Sequence, residues 1–293
     1  MGYSVPPIPA SLRENLAYGL GEVEAQRWLE HAVERAEELF DRWDLVPEEV
    51  LTGGSESLCV KCQGPDGSAQ VLKLPASLPG GAAEIAALRA WRGDGAARVL
   101  RQDPAQSAML MNFLGWVGMG SFTLDEVLDL ADRLHVADPS SYDFPPVDAN
   151  VARRVTWAED RFAEAGLEAA QSDLVVAQKV LADLLFSDEP QVLLHGDLQP
   201  KNLIVSDDGL AVVDPLPAVG PAVFDVAFWV VKCTDGHSLT SCQADVLALR
   251  PQLDPVALER WCWALAVLEH RPYLAERNAQ RQDYIDSHRE RVL

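Results

Sequence analysis

Asp197, Asn202 and Asp214 are the residues of this chain whose types and spacing suit them best to chemistry. Leu203–Val205 is a short apolar run, Ser206–Gly209 is a turn with Asp-Gly at its end, and Leu210–Val213 is a second apolar run, which together read as an antiparallel hairpin. Asn202 stands just before the first strand and Asp214 just after the second, so the hairpin brings them side by side. An amide oxygen and a carboxylate placed in this way suit a hard cation such as Mg2+. Asp197, five residues before Asn202 on the preceding loop, is expected to face the same spot. A carboxylate beside a metal-bound phosphate accepts or orients a hydroxyl proton. A polar loop beside a hairpin would not need all three groups at this spacing.

The layout resembles that of protein kinases, in which a loop Asp acts as base, an Asn five residues on holds metal, and a second metal Asp follows a hairpin. Val71-Leu72-Lys73-Leu74 resembles the kinase V-A-I-K strand. Glu84, early in a helix eleven residues later, is the expected ion-pair partner of Lys73. Gly53, Gly54 and Ser55 stand where a glycine-rich phosphate cover belongs. More narrowly, His195-Gly196-Asp197-Leu198 with Asn202 resembles the aminoglycoside phosphotransferase family. Val213-Asp214-Pro215-Leu216-Pro217 with Gly220, Pro221 and Asp225 is similar to its streptomycin 6-kinase branch, as are residues 90–100 and Ala131–His135.

The resemblance implies an α+β, bilobal protein-kinase-like fold with a small antiparallel-sheet N-lobe and a mainly helical C-lobe. It implies an antibiotic resistance kinase, with ATP- and Mg2+-dependent transfer of the γ-phosphoryl group to a hydroxyl of a small, cationic acceptor, a streptomycin-like aminoglycoside, and a metabolic kinase of a sugar, amino sugar or other small alcohol as the alternative. Asp197 is then catalytic, Asn202 and Asp214 hold Mg2+, and Lys73, placed by Glu84, steadies the nucleotide phosphates. Met111 and Phe113 flank the hinge that meets adenine through its backbone. His195 holds the catalytic loop, and Asp225 caps the helix at 226–232 and braces that loop. Gln199-Pro200-Lys201 replaces a more usual His-containing triplet, which adds a cation near the γ-phosphate.

Three segments are expected to position these residues: a helical N-terminal extension over 1–50, a nucleotide-binding lobe over 51–113, and a helical lobe over 114–293 with the catalytic loop and acceptor site. Pro6, Pro7 and Pro9 read as an extended lead-in, and the apolar set from Trp28 to Trp43 marks one helical face. Leu58–Cys62 and Gln70–Leu74 read as strands around the Gly64–Gly67 turn, and Val99-Leu100 and Ala108–Phe113 as two more. Thr123-Leu124-Asp125-Glu126 fits a capping box that opens a helix to about His135. Further helices are expected over 152–165, 172–186, 222–232 and 255–270. Trp229, Trp261 and Trp263 fall on helical core positions, and His135 reads as a packing or helix-dipole residue. Asp235 and Glu269 are conceivable contacts for a cationic acceptor, with solvated surface acids the preferred reading.

With 24 Lys+Arg against 45 Asp+Glu, the net charge of −21 opposes nucleic-acid or anionic-membrane partners. Lysines number five: Lys61, Lys73, Lys179, Lys201 and Lys232. In so lysine-poor a chain, each calls for a reason. The five cysteines form no zinc pattern, and Cys59 and Cys62, three apart on a strand, point to opposite faces. No signal peptide or membrane-spanning run is read, so the expectation is a cytoplasmic monomer or weak dimer.

Overall fold

Ala69–Pro75 (β3) is a strand on which alternate side chains face opposite ways, and that alternation organises the N-terminal half of the chain. In the computed structural model, which describes residues 2–292 apart from 53–55, 106, 117–119, 187, 207, 234–237 and 272–274 and omits the side chains of 78, 79, 168, 169 and 275–278, the chain divides into two units, Met1–Gly115 and Trp116–Leu293. Gly53, Gly54, Ser55 and Asp235 lie outside the described residues.

The first unit holds α1 (Ala10–Leu20), α2 (Glu22–Trp43), β1 (Val46–Val50), β2 (Ser57–Gln63), β3, α3 (Leu78–Trp91), β4 (Val99–Asp103) and β5 (Ala108–Asn112). Its five strands pair antiparallel in the order β1-β2-β3-β5-β4. Leu72 and Leu74 of β3 join one apolar cluster with Leu16, Leu29, Leu39 and Phe40 of the two helices and with Leu58 and Val60 of β2. The helices therefore pack on the sheet within the same unit. Lys73, between those leucines, faces the other side, where α3 lies.

The lead-in through Pro9 carries no helix or strand, and residues 10–20 form a helix inside the expected helical extension, with Pro9 at its N-cap position, where its fixed φ does no harm. Val46–Val50 forms a strand where the helical extension is expected to continue. Its proline and two glutamates disguise it, and it lies at the sheet edge with a register shift between Pro47 and Glu49, the setting in which a strand tolerates proline.

The second unit is mainly helical: α4 (Leu124–Leu134), α5 (Val147–Ala165), α6 (Glu168–Leu185), α7 (Val223–Lys232), α8 (Leu239–Leu249), α9 (Pro255–Leu268) and α10 (Ala275–Val292). The capping box forms as expected, with the Thr123 hydroxyl accepting from the Glu126 N–H while the Glu126 carboxylate accepts from the Thr123 N–H. Phe224, Phe228, Trp261 and Trp263 of α7 and α9 lie at the centre of its core. Two small antiparallel pairs interrupt the helices, β6 (Gln191–Leu194) with β9 (Ala218–Pro221) and β7 (Leu203–Ser206) with β8 (Gly209–Val212). Helix α5 begins at Val147, five residues earlier than expected, because Pro146 at its N-cap position leads directly into it. That early turn carries Asn150. Helices α8 and α10 were not anticipated. Among the described residues no helix is long and apolar enough to cross a membrane.

Candidate active site

The hairpin expected from the sequence forms, with Leu203 paired to Val212 and Ser206 to Gly209. Its open end is closed by the Val213 N–H donating to the Asn202 carbonyl at 3.0 Å, which sets Asp214 beside Asn202. Asp214 has φ of 55°, a left-handed conformation that Asp tolerates better than most residues. Both amide hydrogens of Asn202 go to Asp197, Nδ2 donating to its carbonyl at 2.8 Å and to its carboxylate Oδ2 at 2.9 Å. A carboxylate requires the NH2 side of an amide to face it, so the Asn202 oxygen is the part left for a cation. Gln199 Nε2 donates to Asp197 Oδ2 at 2.7 Å, and Lys201 Nζ lies 3.7 Å from the same oxygen.

The loop 195–199 is held from two sides. Asp225, wholly buried, accepts from the backbone nitrogens of His195 and Gly196, each at 2.8 Å. Burial alone would raise the Asp225 pKa. The hydrogen bond and charge of His135, with the Gly196 N–H, hold it below the usual carboxylate range. Asp225 sits in the first turn of α7, two residues past the helix start at Val223, and the N-cap position, Ala222, has no side-chain bond. The expectation that Asp225 caps this helix is therefore corrected, because its carboxylate turns to the loop. His135 also has more than a packing role, since its Nε2 lies 3.0 Å from Asp225 Oδ2.

His195 Nδ1 accepts from the Asp197 N–H at 3.2 Å. Its Nε2 must therefore carry the proton and donate to the Val213 carbonyl at 3.1 Å. Burial pushes its pKa down against the charges of Asp225 and Asp197, in keeping with a neutral ring.

On the opposite side, α5 contributes Asn150 and Arg154. Asn150 Nδ2 donates to the carbonyls of Gly196 (3.2 Å) and Leu216 (3.3 Å). Arg154 Nη2 donates to the Gly196 carbonyl at 2.8 Å and to Asp197 Oδ1 at 3.2 Å. Glu269, read from sequence as a surface acid or acceptor contact, is instead buried and paired with Arg154 at 2.7 Å and Lys232 at 2.6 Å. Burial raises its pKa, but those two cations outweigh burial and hold it far below the usual range. Sequence reasoning missed Asn150 and Arg154. Their signal was two polar residues four apart within the buried stripe Val147, Val151 and Ala158.

In the first unit, Lys73 Nζ and Glu84 Oε1 lie 2.6 Å apart, both buried, which is the pairing expected from the sequence. Met111, buried on β5, pairs with Val71 and Val99, while the Phe113 N–H donates to the Ala69 carbonyl at 3.1 Å. The Phe113 ring lies 5.0 Å from Lys61 Nζ.

The model of the aminoglycoside/hydroxyurea antibiotic resistance kinase family matches residues 42–271. The streptomycin 6-kinase of Streptomyces griseus is 29% identical over 232 residues, covering 75% of this chain and 73% of that protein. The streptomycin 6-kinase of Streptomyces glaucescens is 29% identical over 230 residues, with the same 75% and 73% coverage. Among solved structures, an amicoumacin kinase in complex with AMP-PNP and Ca2+ matches with a TM-score of 0.59 at 12% identity, covering 89% of this chain and 96% of that one. A choline/ethanolamine kinase family protein from Mesorhizobium loti matches with a TM-score of 0.57 at 15% identity, covering 89% and 93%. At such identities these structures show the fold, an α+β protein-kinase-like one. With a family match over well more than half its length and the kinase-like arrangement of Asp197, Asn202 and Asp214, the chain belongs to the aminoglycoside/hydroxyurea antibiotic resistance kinases and is a phosphotransferase.

Proposed function

We propose that the protein transfers the γ-phosphoryl group of ATP to a hydroxyl of streptomycin or a closely similar aminoglycoside in the cytoplasm, with Mg2+ as the metal. The observation that carries the reading is the Asn202 amide bound to the Asp197 carboxylate at the mouth of the hairpin that delivers Asp214. Among the described residues no group of three or more His, Cys, Asp or Glu could hold a metal alone. One amide oxygen and one carboxylate fit Mg2+, which takes its remaining ligands from phosphates and water. When bound, Mg2+ neutralises charge on the β- and γ-phosphates.

Asp197 orients the acceptor hydroxyl and takes its proton as the oxygen bonds to the γ-phosphorus. The bond from that phosphorus to the β,γ-bridging oxygen breaks, and ADP leaves with the electron pair. Asp197 then returns the proton to solvent. Lys201 stands near Asp197 Oδ2 to balance charge on the transferring group. Lys73, fixed by Glu84, holds the α/β-phosphates, and the backbone around Met111 and Phe113 receives the adenine. Positioning and charge supply most of the rate, as in phosphoryl transfer generally.

A second reading replaces the aminoglycoside with a neutral sugar or other small alcohol. It is favoured by the cations Arg154 and Lys201 at Asp197 and by a Glu269 carboxylate already spent on ion pairs. ADP release from ATP is to be measured across panels of aminoglycosides, sugars and amino sugars, with the product located by phosphorus NMR. Turnover with streptomycin that is abolished by EDTA and by Asp197→Ala supports the first reading. Turnover with a sugar alone replaces the acceptor.

A further inference from the structure

We propose that Arg154 is a positioning residue that selects Asp197 Oδ1 as the atom meeting the acceptor hydroxyl, and that the buried Glu269, paired with the part-buried Lys232, holds Arg154 in place. This rests on the reading of Asp197 as the residue that handles the acceptor proton. Arg154 is 3% exposed, and each of its three guanidinium nitrogens donates a hydrogen bond. Nε donates to Asn150 Oδ1 at 2.8 Å and Nη1 to Glu269 Oε1 at 2.7 Å, while Nη2 serves Gly196 O and Asp197 Oδ1. The guanidinium carbon lies 4.1 Å from the centroid of the Phe228 ring, which fixes the plane of the fork. Because that fork is rigid, the position of Glu269 determines where Nη2 meets Asp197.

The lone pairs of Asp197 identify the atom that is available. A carboxylate offers about four acceptor sites, two on each oxygen. Oδ2 spends both on Gln199 and Asn202. Oδ1 spends one on Arg154, so one site on Oδ1 remains for the acceptor hydroxyl, and the guanidinium sets its direction.

Within this cluster Arg154 and Lys232 oppose Asp197 and Glu269 at short range, with the more exposed Lys201 and Arg271 at its edge. A buried ion network is a weak source of stability compared with apolar packing. Here its geometry converges on a single carboxylate. Lys232, one of five lysines in the chain, thereby has a reason for its place: its Nζ lies 2.6 Å from Glu269 and 5.4 Å from the same Phe228 ring.

The test uses the full chain, with streptomycin as acceptor and, independently, the slow hydrolysis of ATP with water as acceptor. Arg154→Met is expected to lower kcat about 100-fold while the KM for ATP stays within about twofold, the split expected when orientation alone is lost. Added guanidinium is expected to restore part of the activity of Arg154→Ala. Arg154→Met/Glu269→Gln is expected to be no slower than Arg154→Met alone, since Glu269 acts through Arg154. A folded Arg154→Met with parental kcat overturns the proposal, and so does a strictly additive double variant. If Arg154→Met does not fold, Arg154→Lys and Glu269→Gln decide: about a tenfold loss of kcat at unchanged KM for ATP supports the proposal, and parental kcat in both overturns it. Asp197→Asn separates the two levels. If it remains active, the reading of Asp197 itself fails. If it is inactive while the Arg154 variants are unaffected, only the present inference fails.

Discussion

Asp225 Oδ2 lies 2.8 Å from the backbone nitrogen of His195, across 30 residues of sequence. The other carboxylate oxygen takes the Gly196 N–H at the same distance. Two successive backbone donors of the catalytic loop thus end on one buried carboxylate, whose Oδ2 also meets His135 Nε2 at 3.0 Å. Removing the carboxylate orphans both donors. Asp225→Ala is expected to lower the unfolding free energy by about 2–6 kcal/mol, at about 1–3 kcal/mol for each of the two buried unsatisfied groups. Urea titration at constant m-value checks this. His135→Ala leaves both loop contacts in place and is expected to cost less, about 1 kcal/mol.

Gly196 is expected to accept no side chain. Its φ is 73°, and an added Cβ would lie 2.0 Å from the Leu216 carbonyl oxygen, a backbone atom held in turn by the bond from Leu216 N–H to the His195 carbonyl. Gly196→Ala should cost about 3 kcal/mol or more and abolish turnover. Gly166→Ala is the control. Gly166 has φ of 64° with nothing within 4 Å, so only conformational strain applies, about 1–2 kcal/mol, with activity retained. Equal stability losses at the two sites would refute the steric argument.

The Lys73–Glu84 pair separates stability from activity. Lys73→Met leaves Glu84 buried beside an apolar side chain and is expected to destabilise the protein by about 3 kcal/mol. Lys73→Met/Glu84→Leu removes both charges and is expected to regain most of that loss. Neither variant should turn over ATP at more than a trace of the parental rate. Melting temperature and kcat, measured on the same preparations, check both statements.

The pH dependence of stability has a predictable sign. Burial lowers the pKa of His195 against the pull of Asp225 and Asp197. Burial, with Arg281 and Arg161 nearby, lowers that of His270. An unfolded histidine takes a proton near pH 6.5. Just below that pH the unfolded chain therefore binds more protons than the folded one, and stability falls as pH falls. The contribution is complete above about pH 6.5 and is lost toward the lowered folded-state values, with a slope of up to about 1.4 kcal/mol per pH unit for each histidine. Urea unfolding between pH 8 and about 5.5 should show this decline, and His270→Gln should make it shallower. The lowered carboxylates Asp225 and Glu269 act in a separate, more acidic window, below about pH 4.5.

The sequence alone determined whatever short-range spacing controls. Asp197 and Asn202 share one loop, so a five-residue spacing is enough to predict that they meet, and Asn202 does bond to Asp197. The hairpin between Asn202 and Asp214 was legible because two apolar runs flank an Asp-Gly turn, and the helix from Thr123 because its capping box is complete within four residues. Lys73 stood out by its strand position and by the scarcity of lysine, and the pairing with Glu84 followed from the resemblance to kinases.

Tertiary structure decided what depends on partners distant in sequence. Arg154 meets Asp197 across 43 residues and Glu269 across 115. No local pattern distinguishes a buried, paired Glu269 from a surface glutamate, because the difference lies in which helices pack together. Val46–Val50 became a strand because β2 offered it an edge, despite its proline and glutamates. Asp225 turned from its own helix to the backbone of the catalytic loop, because β6 ends where two buried N–H groups required an acceptor. Backbone turns and caps are short-range and were written in the chain. The choice of charge partners was left to packing, since a buried ion takes whichever counter-charge the fold brings to it.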